Sequence, residues 1–97
     1  MRLRVKEENV ILRRAERTVA GVGKLSYWLC VERGRPGRPQ EYGIGVCLRT
    51  AKGEESHYIP SVTADRVFAT RIFRAILLGE VTPCTLEDVI LDLLVEM

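Results

Sequence analysis

Two segments in the middle of the chain alternate apolar and polar residues, which is the pattern of half-buried β-strands. They cover residues 25–32 and 42–49. The connection between them, residues 33–40, has two prolines and two glycines and predicts a mobile hairpin loop. A hairpin symmetric about Pro36 and Gly37 brings every apolar residue of both strands to one face, and a slip of one residue would destroy that agreement. The predicted cross-strand pairs are Val31 with Tyr42, Leu29 with Ile44, Tyr27 with Val46, and Leu25 with Leu48.

The residues before this hairpin predict another extended segment with a less regular pattern. Residues 10–20 mix aliphatic side chains with charged ones. We prefer a strand over residues 11–20, and a short helix over residues 8–17 is the alternative. Gly21 and Gly23 end either element, because glycine interrupts regular structure. Residues 1–9 are predicted to fray.

A return strand is predicted after the hairpin, over residues 54–59. Pro60 is expected to end it, because proline cannot donate a hydrogen bond to a neighbouring strand. The register of this strand stays open, since the preceding turn has either two or three residues. The first choice directs His57 and Ile59 to the core, and the second directs Ser56 and Tyr58 there.

The last third of the chain predicts two helices, over residues 64–79 and 82–97. In the second helix, apolar residues recur at spacings of three and four, which is the pattern of one helical face. The short connection between the helices favours antiparallel packing. The predicted capping residues are Ser61 or Thr63 before the first helix, Gly79 as its left-handed terminator, and Thr82 with Pro83 at the start of the second.

These elements together predict an α+β fold in a single domain of residues 1–97. It is an antiparallel meander of three to four strands followed by a C-terminal antiparallel two-helix hairpin packed on one sheet face. The hydrophobic content of 46% is that of a folded protein. No apolar run is long enough to cross a bilayer, and the basic N-terminus is not followed by a hydrophobic signal region, so we expect a cytoplasmic protein without membrane contact.

The net charge of +2 is unevenly distributed along the chain. Residues 1–38 have ten Lys and Arg against four Asp and Glu, whereas residues 39–97 have five against nine. This asymmetry fits a basic surface for nucleic acid or an acidic partner, and it fits attraction between copies equally well. The three cysteines are odd in number and form no C-x-x-C pair, so we expect them to be reduced.

Candidate catalytic residues are few. His57 is the only histidine, and no Cys or carboxylate lies at metal-ligand spacing from it. A nucleophilic pair with Cys47 is conceivable, but the sequence places no third orienting group beside it. The acidic residues of the last helix lie on its polar side, where their ordinary role is solubility. We therefore expect no enzyme activity, no catalytic residue, no metal ligand and no cofactor.

The sequence Arg33-Gly34-Arg35-Pro36, followed by Gly37-Arg38-Pro39, matches the core of the AT-hook. In that motif, extended arginines enter the narrow minor groove of A·T-rich DNA. The alternative function is therefore that of a DNA-binding accessory protein that uses Arg33, Arg35 and Arg38.

The preferred function is protein interaction. On the side of the central hairpin opposite the apolar residues, Trp28 is expected to lie over Gly45 and Cys30 over Gly43. An indole ring can cover and protect cross-strand glycines in this way. If the helices cover the other side of the sheet, Trp28, Cys30 and Cys47 form a contact patch for another protein or for a second copy in a homodimer. The alternative is that the N-terminal segment folds over them.

The order of motifs also carries a family resemblance. Tyr42-Gly43-Ile44 in a central strand precedes Val81-Thr82-Pro83-x-x-Leu86-x-Asp88-Val89 at a helix start. Over residues 24–95, this order resembles a family of small uncharacterised proteins from Gram-positive spore-forming bacteria that is defined only as a domain of unknown function. Relatives often have histidine where this chain has Thr85. The resemblance implies the same order of elements and no particular activity.

Overall fold

The strands form one antiparallel sheet whose order in space follows the order in the chain. The computed structural model describes residues 9–32, 37 and 39–96. Its strands are β1 (Asn9–Val19), β2 (Gly23–Glu32), β3 (Glu41–Thr50) and β4 (Gly53–Thr63), arranged β1-β2-β3-β4. The preference for a strand at the start of the chain is thus confirmed, and the alternative of a short helix there is wrong. The expected fraying of the N-terminus falls outside the described residues, apart from Asn9, which begins β1.

The register of the central hairpin is the predicted one. Val31 pairs with Tyr42, Leu29 with Ile44, Tyr27 with Val46, and Leu25 with Leu48. Because residues directly opposite each other in an antiparallel pair share a face, all of these side chains lie on one side of the sheet, which we call the core face. We call the opposite side the Trp28 face. The predicted loop at residues 33–40 falls largely outside the described residues.

The strand β4 differs from the expectation in one respect. Thr50 pairs with Gly53, so the turn has two residues and places His57 and Ile59 on the core face. Pro60 does not end the strand, which continues to Thr63. Proline is tolerated because β4 is an edge strand and needs hydrogen bonds on one side only. The pairing with β3 shifts between Tyr42 and Ile44, and Ser61 in this irregular stretch has a φ of 53°.

The helix α1 (Arg66–Leu78) begins and ends at residues other than those predicted. Asp65 is its N-cap, with its carboxylate accepting bonds from the backbone N–H groups of Val67 and Phe68 at 2.9 and 3.2 Å. At the other end, Gly79 has a right-handed φ of −85°, and Glu80 takes the left-handed conformation with a φ of 52°. Capping by Ser61 or Thr63 is therefore wrong. Gly79 caps the C-terminal end of α1 as expected, but its predicted left-handed conformation is wrong.

The geometry after α1 is a Schellman motif centred on Glu80. The N–H of Glu80 donates to the carbonyl of Leu77 at 3.2 Å, and the N–H of Val81 donates to that of Ile76 at 3.2 Å. Val81 and Ile76 are both buried, and this hydrophobic contact accompanies the motif. The left-handed residue is therefore Glu80, one position after the predicted Gly79. The burial of Val81, the next residue, accounts for this position.

A 3₁₀ turn, Pro83–Thr85, leads into the second helix, α2 (Leu86–Glu96). Pro83 occupies the start of this turn, as expected from its missing N–H group. The Thr82 side chain makes no capping bond to the backbone; its hydroxyl lies 3.2 Å from that of Thr85 instead. Both helices contribute buried residues to one hydrophobic cluster with β2 and β3. The cluster contains Leu25, Tyr27, Leu29, Tyr42, Ile44, Val46, Ala69, Ile72, Phe73, Ile76, Val81, Leu86 and Ile90.

Candidate interaction surface

The Trp28 face is the side of the sheet turned away from this hydrophobic cluster. Trp28 lies at its centre, as the sixth of ten residues in β2, and pairs with Gly45, the fifth of ten in β3. The indole ring lies directly over Gly45, so close that a Cβ there would collide with the ring atoms Cζ2 and Cε2. The middle of this face consists of Arg14, Ser26, Trp28, Cys30, Gly43, Gly45, Cys47, Ser56 and Tyr58.

A second aromatic residue, Tyr58, covers Gly43 in the same way. Its hydroxyl donates a short hydrogen bond to Oε2 of Glu32, so that a residue of β4 reaches a residue of β2 across the glycine of β3. The other carboxylate oxygen of Glu32 accepts from the backbone N–H of Ser61 at 3.1 Å and from its hydroxyl at 3.3 Å. Burial and the neighbouring Glu32 carboxylate raise the pKa of Tyr58, so the phenol stays protonated.

Tyr58 and Glu32 were not among the residues singled out from the sequence. The register of β4 was open, and one of its two alternatives directed Tyr58 into the core. A signal existed in Gly43, because a glycine in the centre of a sheet indicates that another group approaches the backbone closely. The approaching group belongs to the neighbouring strand β4, and its hydrogen-bonding partner lies two strands away.

The two cysteines of this face are poor nucleophiles. Cys30 is buried and Cys47 is half-buried. Burial raises the pKa of both thiols, and nearby Glu54 raises that of Cys47 further. The thiolate is the reactive form of cysteine, so both side chains remain thiols at neutral pH. Cys30 lies opposite Gly43 and Cys47 opposite Ser26, which separates them by about 13 Å along the strands and prevents a disulfide between them.

Charged side chains lie at the end of the Trp28 face that is nearest the two-residue turn. Lys24 Nζ is 3.2 Å from Glu16 Oε1, and Arg49 is 2.9 Å from Oε2 of Glu54. Each pair joins adjacent strands. In each pair the opposite charges offset each other, so this end of the face is polar while its centre holds the two aromatic rings.

His57 lies on the opposite side of the sheet from both cysteines. It pairs with Val46 on the core face, whereas Cys47 pairs with Ser56. The conceivable Cys47–His57 nucleophilic pair is therefore wrong, because side chains of adjacent residues in a strand point to opposite faces. The imidazole is exposed, with Nε2 3.9 Å from a carboxylate oxygen of Glu87. Within residues 9–32, 37 and 39–96, no group of three or more His, Cys, Asp or Glu side chains is arranged to hold a metal ion.

The arginines of the AT-hook-like sequence, Arg33, Arg35 and Arg38, fall outside the described residues. Of the N-terminal segment that was the alternative cover for Trp28, residues 1–8 also fall outside the described residues, and Asn9–Val19 form β1 beside β2. The structure therefore locates Trp28, Cys30 and Cys47 on one face and leaves the DNA-binding alternative a prediction. Neither α1 nor α2 has the length and apolar composition of a membrane-spanning helix, and the described part of the chain includes no other α-helix.

Comparison with curated proteins gives no match, and neither does comparison with solved structures. The sequence does match one protein family, described as "Family of unknown function (DUF6514)", over residues 6–96. That span includes all four strands and both helices. The expected relationship to a domain family without an assigned activity is confirmed, whereas the bacterial group of its members stays a prediction. The chain thus belongs to the DUF6514 family of unknown function.

Proposed function

We propose that this chain is a non-enzymatic protein-interaction domain that binds another protein or a second copy of itself through the Trp28 face. The observation that carries the proposal is the place of Trp28 at the centre of a sheet face that has charged side chains at one end. Protein interfaces have this organisation: aromatic residues concentrate in a central patch, and polar residues surround it.

The size of the face supports the proposal. Four strands spaced about 4.8 Å apart, each about 33 Å long, give a surface of roughly 600 Å². A stable protein–protein interface buries about 800 Å² on each partner, so this face together with a few neighbouring residues is large enough for a small one. A second copy would use the same patch on both chains, related by a two-fold axis.

The absence of enzyme activity is part of the proposal. Both thiols of the face have raised pKa values, and the only histidine lies on the other side of the sheet. Tyr58 and Glu32 bind each other, and their bonds join β4 to β2. These groups therefore have structural partners rather than the arrangement of a nucleophile beside an activating base.

Light scattering after size exclusion tests self-association directly. A homodimer through this face would show about twice the 11.0 kDa mass of the chain at high concentration. Ser56→Arg places a charge on the face without removing a packed side chain and should abolish association through this face. Leu78→Ala, which removes an exposed apolar residue from α1, is the matched control and should not.

Trp28 is the only tryptophan, so its fluorescence reports on this face alone. A bound partner, whether a second copy or another protein, should protect the Trp28 fluorescence from quenching by iodide. If the chain stays monomeric and the quenching of Trp28 is the same at every protein concentration, a homodimer through this face is excluded. A partner that binds and leaves both Trp28 and Cys47 accessible contradicts the proposed surface.

A further inference from the structure

A cleft of about 310 Å³ lies between β1 and α1, away from the Trp28 face. Its apolar lining comes from Phe73, which is 5% exposed, and from half-buried Leu77. Arg13 and Arg74 border it with exposed side chains. Thr70 completes the lining, and its hydroxyl donates to the carbonyl of Arg66 in its own helix. The cleft therefore combines an apolar floor with two cationic walls.

The two helices carry opposite charge. The sequence of α1 includes three arginines and no acidic residue. That of α2 includes four acidic residues and no basic one. Both helices lie in the acidic second part of the chain, residues 39–97, so α1 is a cationic element within it and α2 an anionic one.

The exposed side of α2 has carboxylates and aliphatic side chains, which complement the arginines and the apolar floor of the cleft. Asp88, Leu91, Asp92 and Val95 follow one another at spacings of three, one and three residues, which places them in one line along the helix. Leu91 is 53% exposed and Val95 is 85% exposed, and both aspartates are exposed as well. This line, the α2 strip, alternates carboxylate and aliphatic side chains along the exposed side of the helix.

We propose that the cleft between β1 and α1 binds the α2 strip of a second copy of this chain. Leu91 and Val95 would contact the apolar floor at Phe73 and Leu77, as the anchors of a helix in a groove do. Asp88 and Asp92 would face the two guanidinium groups of Arg13 and Arg74. Complementary charge of this kind sets orientation and partner choice as well as affinity.

This contact joins two different surfaces, so it is head-to-tail and independent of the Trp28 face. Repetition of such a contact gives a ring or an open chain of copies. Another candidate occupant of the cleft is the N-terminal segment of the same chain. Residues 1–8 have three basic residues against two acidic ones, and a basic segment does not complement cationic walls. Charge therefore favours α2.

Charge reversal in the full-length chain tests the proposal. The wild-type weight-average mass in sedimentation equilibrium should rise with concentration and fall as salt screens the charges. Arg74→Glu alone and Asp92→Arg alone should each weaken association at least about tenfold. Mixing these two variants, or combining both changes in one chain, should restore it. Arg71→Glu, an exposed arginine of α1 outside the cleft, is the matched control and should retain the wild-type behaviour.

Trp28→Ala separates this contact from the proposed interface on the sheet, because head-to-tail association should survive it. The proposal is overturned if the wild type stays monomeric at low salt. It is also overturned if Arg71→Glu weakens association as much as Arg74→Glu, or if the reversed pair fails to restore it. Association that depends on Trp28 and not on Arg74 would support the sheet interface and exclude the cleft.

Discussion

The hydroxyl of Tyr27 in β2 donates a 2.9 Å hydrogen bond to the backbone carbonyl of Val81, which lies between the two helices. The two residues are 54 positions apart, and both are buried. The bond therefore fixes the connection between the helices to the centre of the sheet. It also gives the buried Val81 carbonyl a hydrogen-bond partner that water cannot supply. Val81 directly follows Glu80, the left-handed residue of this turn.

Removing this hydroxyl should destabilise the fold. Tyr27→Phe leaves the Val81 carbonyl without its partner, and a buried unsatisfied acceptor costs about 1–3 kcal/mol. Urea denaturation measures the change in the free energy of unfolding. Tyr42→Phe is the matched control, since the Tyr42 hydroxyl makes no hydrogen bond to another described residue and its loss should change stability little. Equal effects of the two substitutions would contradict the importance of the Val81 bond.

Stability should fall at alkaline pH. Burial, with a smaller contribution from Glu80, raises the pKa of Tyr27 from its usual value of 10.0 to about 12. A group whose pKa is raised in the folded state stabilises the fold fully below its unfolded pKa and loses that contribution as pH rises through the folded pKa. The loss should therefore run from about pH 10 to about pH 12. In denaturant titrations across that range, the free energy of unfolding of Tyr27→Phe should fall less steeply with pH than that of the wild type. An equally steep fall would argue against Tyr27 as the source of the pH dependence.

Gly45 should not tolerate a side chain while Trp28 is present. The Cβ of alanine would overlap the indole ring, and such overpacking costs about 1–3 kcal/mol. In a double-mutant cycle, Gly45→Ala should cost less in the Trp28→Ala background, where the ring is absent. Thermal or urea unfolding of the four proteins gives the coupling energy. If the effects of the two substitutions on the free energy of unfolding are additive, the cost of Gly45→Ala does not come from the indole ring.

The left-handed residue after α1 gives a prediction of opposite sign. Glu80→Gly should stabilise the protein by up to about 1 kcal/mol, because glycine adopts a positive φ without the penalty of other residues. The exposed Arg17–Glu80 pair, 3.5 Å apart, offsets only part of this gain. Gly79→Ala should not stabilise the protein in this way, because Gly79 is right-handed and a Cβ there would lie 3.2 Å from the backbone oxygen of Ala75. A gain in stability from Gly79→Ala with none from Glu80→Gly would contradict the left-handed conformation of Glu80.

The three thiols should react with alkylating reagents at different rates. Cys84 is exposed and should react first, half-buried Cys47 more slowly, and buried Cys30 only on unfolding. Mass spectrometry of partially alkylated protein gives the order. If the Trp28 face is an interface, the Cys47 rate should fall with protein concentration while the Cys84 rate stays constant. A constant Cys47 rate in an associated protein would place the contact elsewhere.

The central hairpin was predictable in detail because its information is local. A period of two residues in each strand, with two glycines opposite Trp28 and Cys30, leaves one register that buries all the apolar side chains. The same reasoning located Trp28, Cys30 and Cys47 on a common face. It also predicted the strand order, since short connections favour pairing of successive strands.

Tertiary contacts determined the rest, because the partners are distant in sequence. The register of β4 follows from its two-residue turn and from the bond of Tyr58 to Glu32, 26 residues away. The strand passes through Pro60 only because it lies at the edge of the sheet. The end of α1 follows from the burial of Val81 on Tyr27. Local pattern thus determined which side chains each strand turns inward, whereas hydrogen bonds and packing between distant segments determined where β4 and α1 end.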